Sequence, residues 1–285
     1  MSLRIHPLSY NLGAEITGVD FSRPQSEQNL ALIHGAFLDH SVLLFRGQPV
    51  TREQHIAVSG WFGELESNDA APVMRIENYP QILMVSHKPN PNWKPSDDYV
   101  GKVWHTDHSH TLHPAKATTL RGVEVPDIGG DTMFANMCLA YETLSDGMKK
   151  LLEGQHAIHP VGVHTRRIDK SSPQRMAESI RRNPPIAQPL VRVHPDTGRK
   201  ALYLSVKLKQ IVGMTPEESA PLLDYLCRHS EKPQFVYRHH WRKDDLLVWD
   251  NRCLMHMAVN DFDKTQTRYL ERTVIKGTPS GYATT

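Results

Sequence analysis

The heptapeptide WHTDHSH, residues 104–110, places three histidines and an aspartate in seven positions. In an extended segment residues i and i+2 point to the same side, so His105 and Asp107 can offer an imidazole and a carboxylate to one ion while Thr106 faces away. Two donors do not make a site, and a polar surface turn accounts for the pair until a third is found. The run DLLVWDNRCLMH, an apolar strand passing into a turn, supplies His256 about 150 residues later. Two histidines and one carboxylate on one face leave three adjacent positions open, the arrangement associated with non-haem Fe(II); zinc accepts the same donors and remains the competitor. Beyond His256 the tail carries Arg268 and Arg272, 12 and 16 residues on. Their even spacing puts both on one face of a strand, about 13 Å apart, each able to fork a carboxylate; a surface ion pair is the ordinary alternative for either.

These residues need elements to hold them. SVLLFRG (41–47) and PQILMVSH (80–87) read as short buried strands bounded by turn formers, as do ATTLRGVEVP (117–126), GRKALYLSV (198–206), PQFVYRHHW (233–241), DDLLVWDN (244–251) and RYLERTVIKG (268–277). Helices are expected at 26–40, at 51–63 behind a Thr cap, at 138–153 ending at a Gly, and at 215–230 behind Thr215 and Pro216. Gly129 and Gly130 read as a turn entering a strand. Many strands with a few peripheral helices point to a β-sandwich or barrel core with helical decoration. The polar, basic, Pro/Ser-punctuated stretch 162–186 reads either as a solvated insertion or as a lid over the site.

Composition bounds the rest. A chain of 285 residues with 39% hydrophobic content can fill one sizeable core, and no repeat or low-complexity run divides it, so one domain over 1–285 is expected. Lys+Arg 33 against Asp+Glu 31 is far from the basic excess of a nucleic-acid binder. No apolar run is long enough for a membrane span and the N-terminal residues lack a secretory pattern. Cys138, Cys227 and Cys253 are odd in number and lack CxxC spacing, so neither a disulfide framework nor a thiolate zinc site is expected and a reducing cytoplasm fits.

Taken together, LGAEITGVDFSRP (12–24), LLFRGQPVT (43–51), WHTDHSH, GGDTMFANMCLAYETLS, LVRVHPDTGRKALYLS, WRKDDLLVWDNRCLMH and the Arg268/Arg272 tail resemble, in order and spacing, the taurine dioxygenase and 2,4-dichlorophenoxyacetate dioxygenase family of Fe(II)/2-oxoglutarate-dependent oxygenases. The resemblance covers nearly the whole chain. It implies a double-stranded β-helix (jelly-roll) core and a reaction in which 2-oxoglutarate and O2 are converted to succinate and CO2 while a small anionic substrate is hydroxylated. It implies Fe(II) bound by His105, Asp107 and His256, the distal carboxylate of 2-oxoglutarate held by Thr132 and Arg268, and the acidic group of a sulfonate, alkyl sulfate, aryloxyalkanoate or other carboxylate met by Arg272. Trp241 and Trp249 match aromatic positions near the pocket, though core packing explains a tryptophan in an apolar strand as well. A homodimer or homotetramer is the expected assembly. His108, His110 and His113 fall outside the triad. Two departures stand out: FGELESNDAAPVMRI has no histidine where the taurine enzyme has one, which puts taurine itself in doubt, and the tail is one residue longer between His256 and Arg268, which a bulge or turn could absorb. The remaining alternatives are a zinc hydrolase on the same three ligands and a non-catalytic binding protein.

Overall fold

The computed structural model describes residues 2–68, 74–88, 101–159 and 184–284. The expected lid at 162–186 therefore lies, up to residue 183, outside the described residues. Strands β1 (Arg4–Pro7) and β2 (Ala14–Thr17) form a hairpin, followed by α1 (Glu27–His40), β3 (Val42–Phe45), α2 (Arg52–Gly60), β4 (Arg75–Ile76) and β5 (Tyr79–Ser86). After the histidine cluster come β6 (Ala117–Glu124), β7 (Thr132–Asn136), α3 (Met137–Glu142), α4 (Asp146–Leu152) and β8 (His156–His159). The chain continues through β9 (Ile186–Pro189), β10 (Val191–Val193), β11 (Lys200–Leu202), α5 (Pro216–Ser230), β12 (Val236–His239), β13 (Leu246–Asp250), β14 (Leu254–Ala258), β15 (Tyr269–Ile275) and β16 (Tyr282–Ala283).

Eight strands in the order β1-β2-β3-β13-β6-β15-β5-β4 make the major sheet, and β12-β7-β14 make a smaller one. The major sheet is buried on both faces at its centre, which is why β3 and β13 read as unbroken apolar runs rather than alternating ones. Side chains of a strand point alternately to opposite faces. Thus Val42, Leu44, Leu247 and Trp249 join Phe134 and Met255 of the small sheet in one core, while Leu43, Phe45, Leu246 and Val248 pack with Ile33 and Phe37 of α1 and Val58 of α2 in another. The first core lies between the two sheets of the jelly roll and the second beneath the helices.

The helices start where capping side chains stand. Ser26 accepts from Asn29 N, and Thr51 and Thr215 form capping boxes with Gln54 and Glu218. The helix expected over 138–153 is two: the Thr143 hydroxyl bonds back to the carbonyls of Leu139 and Ala140, and Ser145 caps a new start by accepting from Met148 N. Gly154, at φ 72°, closes α4 as expected. The strand expected over 198–206 contracts to Lys200–Leu202, and that over 233–241 opens with a 3-10 turn, Pro233–Phe235, because Pro233 cannot donate to a ladder.

Candidate metal centre

His105 and His256, distant in sequence, meet at one backbone bridge: His105 N donates to His256 O (3.1 Å) and His256 N to His105 O (2.8 Å). Asp107, two residues on, turns its carboxylate to the same side, 3.9 Å from His105 Nε2 and 3.8 Å from His256 Nε2. One ligand atom from each of the three lies within 4.8 Å of the others, a spacing that can hold a metal ion. The extended geometry anticipated for His105–Asp107 is thus present, with Thr106 turned away to donate to Leu254 O (2.9 Å).

The donors are in ligand form. A carbonyl only accepts, so His105 Nδ1 carries the hydrogen given to Val103 O (2.7 Å) and Nε2 keeps its lone pair. Burial lowers the pKa of His105, against the opposing pull of Asp107. Burial, reinforced by His105, pushes that of His256 down to about 3. Both rings are neutral at physiological pH. For Asp107 burial works upward, but the Arg272 guanidinium and the two imidazoles outweigh it and hold the carboxyl well below the usual carboxylate range. The His256 ring is fixed by packing, between Trp249 (4.8 Å between ring centroids) and Phe134 (6.2 Å).

Arg272 lies on β15 and donates from Nη1 to Asp107 Oδ1 (3.1 Å), while its buried Nε has no partner among the described residues. Its neighbour Glu271 faces the other side of the strand, paired with Arg52 Nη2 (2.8 Å) and Tyr269 Oη (3.0 Å). The surface ion pair that is the ordinary alternative for Arg272 is therefore replaced by one with Asp107. Arg268 precedes β15 by one residue rather than sharing it. Buried, it donates from Nε to Gly130 O (2.7 Å), two residues before Thr132. The Thr132 hydroxyl accepts from Trp241 Nε1 (3.0 Å), so its own hydrogen is directed to another acceptor. Trp241 therefore has a polar task at this pocket beyond core packing. The register shift in the tail falls between Tyr269 and Leu270, with the extra residue, Val123, on β6 rather than on β15.

The other histidines of the cluster go elsewhere. His108, at φ 54°, pairs through Nδ1 with Glu66 (3.1 Å), and His113 is exposed. Among the described residues neither these nor His110 belong to a group that could hold an ion. A second cluster, His194, Asp250 and Cys253, has ligand-like spacing, but Arg252 already supplies its cation, donating to both Asp250 oxygens (2.9 and 2.6 Å). Sequence reasoning missed Thr118, whose hydroxyl donates to Asp107 Oδ2 (2.7 Å), and Asn251, which donates to Thr118 (2.9 Å). No local pattern announces them; the signal lies in the pairing of β13 with β6.

Comparison with known proteins gives the family. The family described as Taurine catabolism dioxygenase TauD, TfdA family matches residues 4–274. An alpha-ketoglutarate-dependent 2,4-dichlorophenoxyacetate dioxygenase from Burkholderia sp. (strain RASC) is 35% identical over 250 residues, 83% of this chain and 82% of its own. An alkylsulfatase from Acinetobacter baylyi is 30% identical over 297 residues, 96% of this chain and 85% of its own. The crystal structure of a taurine dioxygenase from Burkholderia xenovorans shares the fold with a TM-score of 0.82 at 34% identity, covering 100% of this chain and 96% of that one. The family match runs from the first residue of β1 to the last but one of β15, and the chain belongs to the TauD/TfdA dioxygenase family.

Proposed function

We propose that this chain is an Fe(II)- and 2-oxoglutarate-dependent dioxygenase in which His105, Asp107 and His256 hold the metal, Thr132 and Arg268 hold the distal carboxylate of 2-oxoglutarate, and Arg272 meets the acidic group of a small organic anion. The observation that carries this reading is the convergence of two neutral imidazoles and one ionised carboxylate within 4.8 Å, with a guanidinium beside them. Three protein donors of this kind suit Fe(II) with positions to spare. Bound Fe(II) would supply the oxidation, in which 2-oxoglutarate and O2 yield succinate and CO2 and one oxygen atom enters a C–H bond of the substrate.

The chain's own part is binding and orientation. Arg268, fixed at Gly130, offers a charged fork and Thr132 one hydroxyl hydrogen, a donor pair suited to a carboxylate. Arg272 Nε is a buried donor without a partner among the described residues, and a substrate carboxylate, sulfonate or sulfate satisfies it. Two relatives are named a 2,4-dichlorophenoxyacetate dioxygenase and an alkylsulfatase, which supports a carboxylate or a sulfate ester as the anion. Where the hydroxylated carbon bears an ether or ester oxygen, the product collapses to a carbonyl compound and a leaving group.

Among the described residues no helix is long and apolar enough to cross a membrane, and all three cysteines are free, which supports a reducing compartment, the cytoplasm. The test of function is succinate release with Fe(II), O2 and 2-oxoglutarate over a panel of aryloxyalkanoates, alkyl sulfates, sulfonates and their uncharged esters and alcohols. Stimulation by anions and not by the matched neutral compounds is expected; equal stimulation by both would sink the assignment of Arg272.

A further inference from the structure

We propose that Trp249, Asn251 and Thr118 form a one-way hydrogen-bond relay that positions the Asp107 carboxylate for the metal. The inference rests on the reading of Asp107 as a ligand. Its direction follows from donor inventory. An indole N–H can only donate, so Trp249 Nε1 gives its hydrogen to Asn251 Oδ1 (3.0 Å), the same oxygen that faces the Asp107 backbone N–H (3.4 Å). That settles which way the amide points, and Nδ2 donates to Thr118 Oγ1 (2.9 Å). A hydroxyl that is already accepting there has its one hydrogen left to give, and it goes to Asp107 Oδ2 (2.7 Å). The chain of donors ends on a group that only accepts: an ionised carboxylate.

The relay is rigidly mounted. Trp249 and Thr118 are direct cross-strand partners in the β13–β6 ladder, and all three side chains are buried. Asn251 sits in the turn between β13 and β14, its backbone N donating to Lys116 O (3.0 Å). On either side of it, Asp250 and Arg252 are locked together, with His194 Nε2 also on Asp250 (3.0 Å). The turn that delivers His256 to the site therefore also aims Asn251 at Thr118.

The consequence concerns the orientation of the ligand. Thr118 engages Oδ2 (2.7 Å) and Arg272 Nη1 engages Oδ1 (3.1 Å), so the rotation of the carboxylate is set at both oxygens, and without Thr118 only the Arg272 contact holds it. Thr118, Asn251 and Trp249 are positioning residues acting through Asp107.

The test is Mn(II) affinity, read as free Mn(II) by electron paramagnetic resonance without cosubstrate, in Thr118→Val, Thr118→Ser, Asn251→Ala, the Thr118→Val/Asn251→Ala pair and Asp107→Ala. Loss of a ligand's outer partner typically weakens metal binding about 10–100-fold. Thr118→Val should fall in that range, Thr118→Ser should stay within about threefold of wild type, and the double variant should lose less than the two single losses combined, because Asn251 acts through Thr118 and otherwise only on the Asp107 backbone N–H (3.4 Å). Circular dichroism checks that each variant is folded; if Thr118→Val is not, a weakening in Asn251→Ala carries the test and its absence overturns the relay. Wild-type affinity in Thr118→Val, or failure of serine to restore it, overturns the relay while a loss in Asp107→Ala leaves the ligand assignment standing. Wild-type affinity in Asp107→Ala sinks that assignment instead.

Discussion

Arg272 is drawn both to Asp107 and to the pocket. One end of its guanidinium lies on the carboxylate (3.1 Å) and its Nε is buried without a described partner, so an incoming anion finds a donor already desolvated. Replacing it by methionine keeps the apolar stem and removes the fork. Arg272→Met should raise KM for the best anionic substrate at least tenfold, about 1.4 kcal/mol, with KM for the cosubstrate 2-oxoglutarate little changed. The reverse pattern would mean that the roles of Arg268 and Arg272 are exchanged. At this scale the His105–Asp107 pair was legible, because i, i+2 spacing in an extended segment is a local rule, whereas His256 joined it as a distant strand-end histidine and through the resemblance. The partners of the triad were not: Thr118 meets Asp107, and Trp241 meets Thr132, through strand register and across 109 residues in the second case. Likewise the contact between His108 and Glu66 spans 42 residues.

Among the elements, the turn entering β7 does more than change direction. Gly130 adopts φ 67°, and a Cβ there would stand 3.1 Å from Arg268 Cδ and 3.3 Å from its Nε. The missing side chain lets Arg268 lie against the turn and bond the Gly130 carbonyl. Gly130→Ala should cost about 1–2 kcal/mol of stability through the left-handed backbone and weaken cosubstrate binding, raising its KM severalfold, while leaving Mn(II) affinity unchanged. An unaltered cosubstrate KM would separate Arg268 from 2-oxoglutarate binding. The sequence made this turn visible as Gly-Gly, but not what packs on it. Strand and helix positions were legible where caps and apolar runs coincide, as at Thr51, Thr215 and residues 246–250. They failed where a hydroxyl competes for the backbone, as at Thr143 and Ser145, and where the inferred strand through Arg268 begins one residue later, at Tyr269.

Over the whole molecule, the jelly roll and its helices bury polar groups that must stay neutral, and this makes stability depend on pH. Burial, with Arg121 adding to it, lowers His55 to about 3, and burial with His110 does the same to His159. Both bind a proton near 6.5 when unfolded. Between about 6.5 and 3 the unfolded chain therefore holds more protons than the folded one, and stability present above 6.5 is lost as pH falls, by about 2 kcal/mol per imidazole at pH 5. With chelator present, the urea midpoint should drop between about pH 7 and about pH 5, and less so in His55→Gln; a midpoint equal at both values would show that these rings are not buried as described. The architecture itself was legible as strands around a site because the β3 and β13 runs are apolar on both faces. Which face meets the helices and which the metal centre is set by pairing partners distant in sequence. The most direct measurement of the central assignment is anaerobic addition of Fe(II) and 2-oxoglutarate to wild type and Asp107→Ala, followed by visible absorption. A weak charge-transfer band in the wild type that is lost or strongly diminished in the variant is expected; no band in the wild type, or the same band in both, would contradict it.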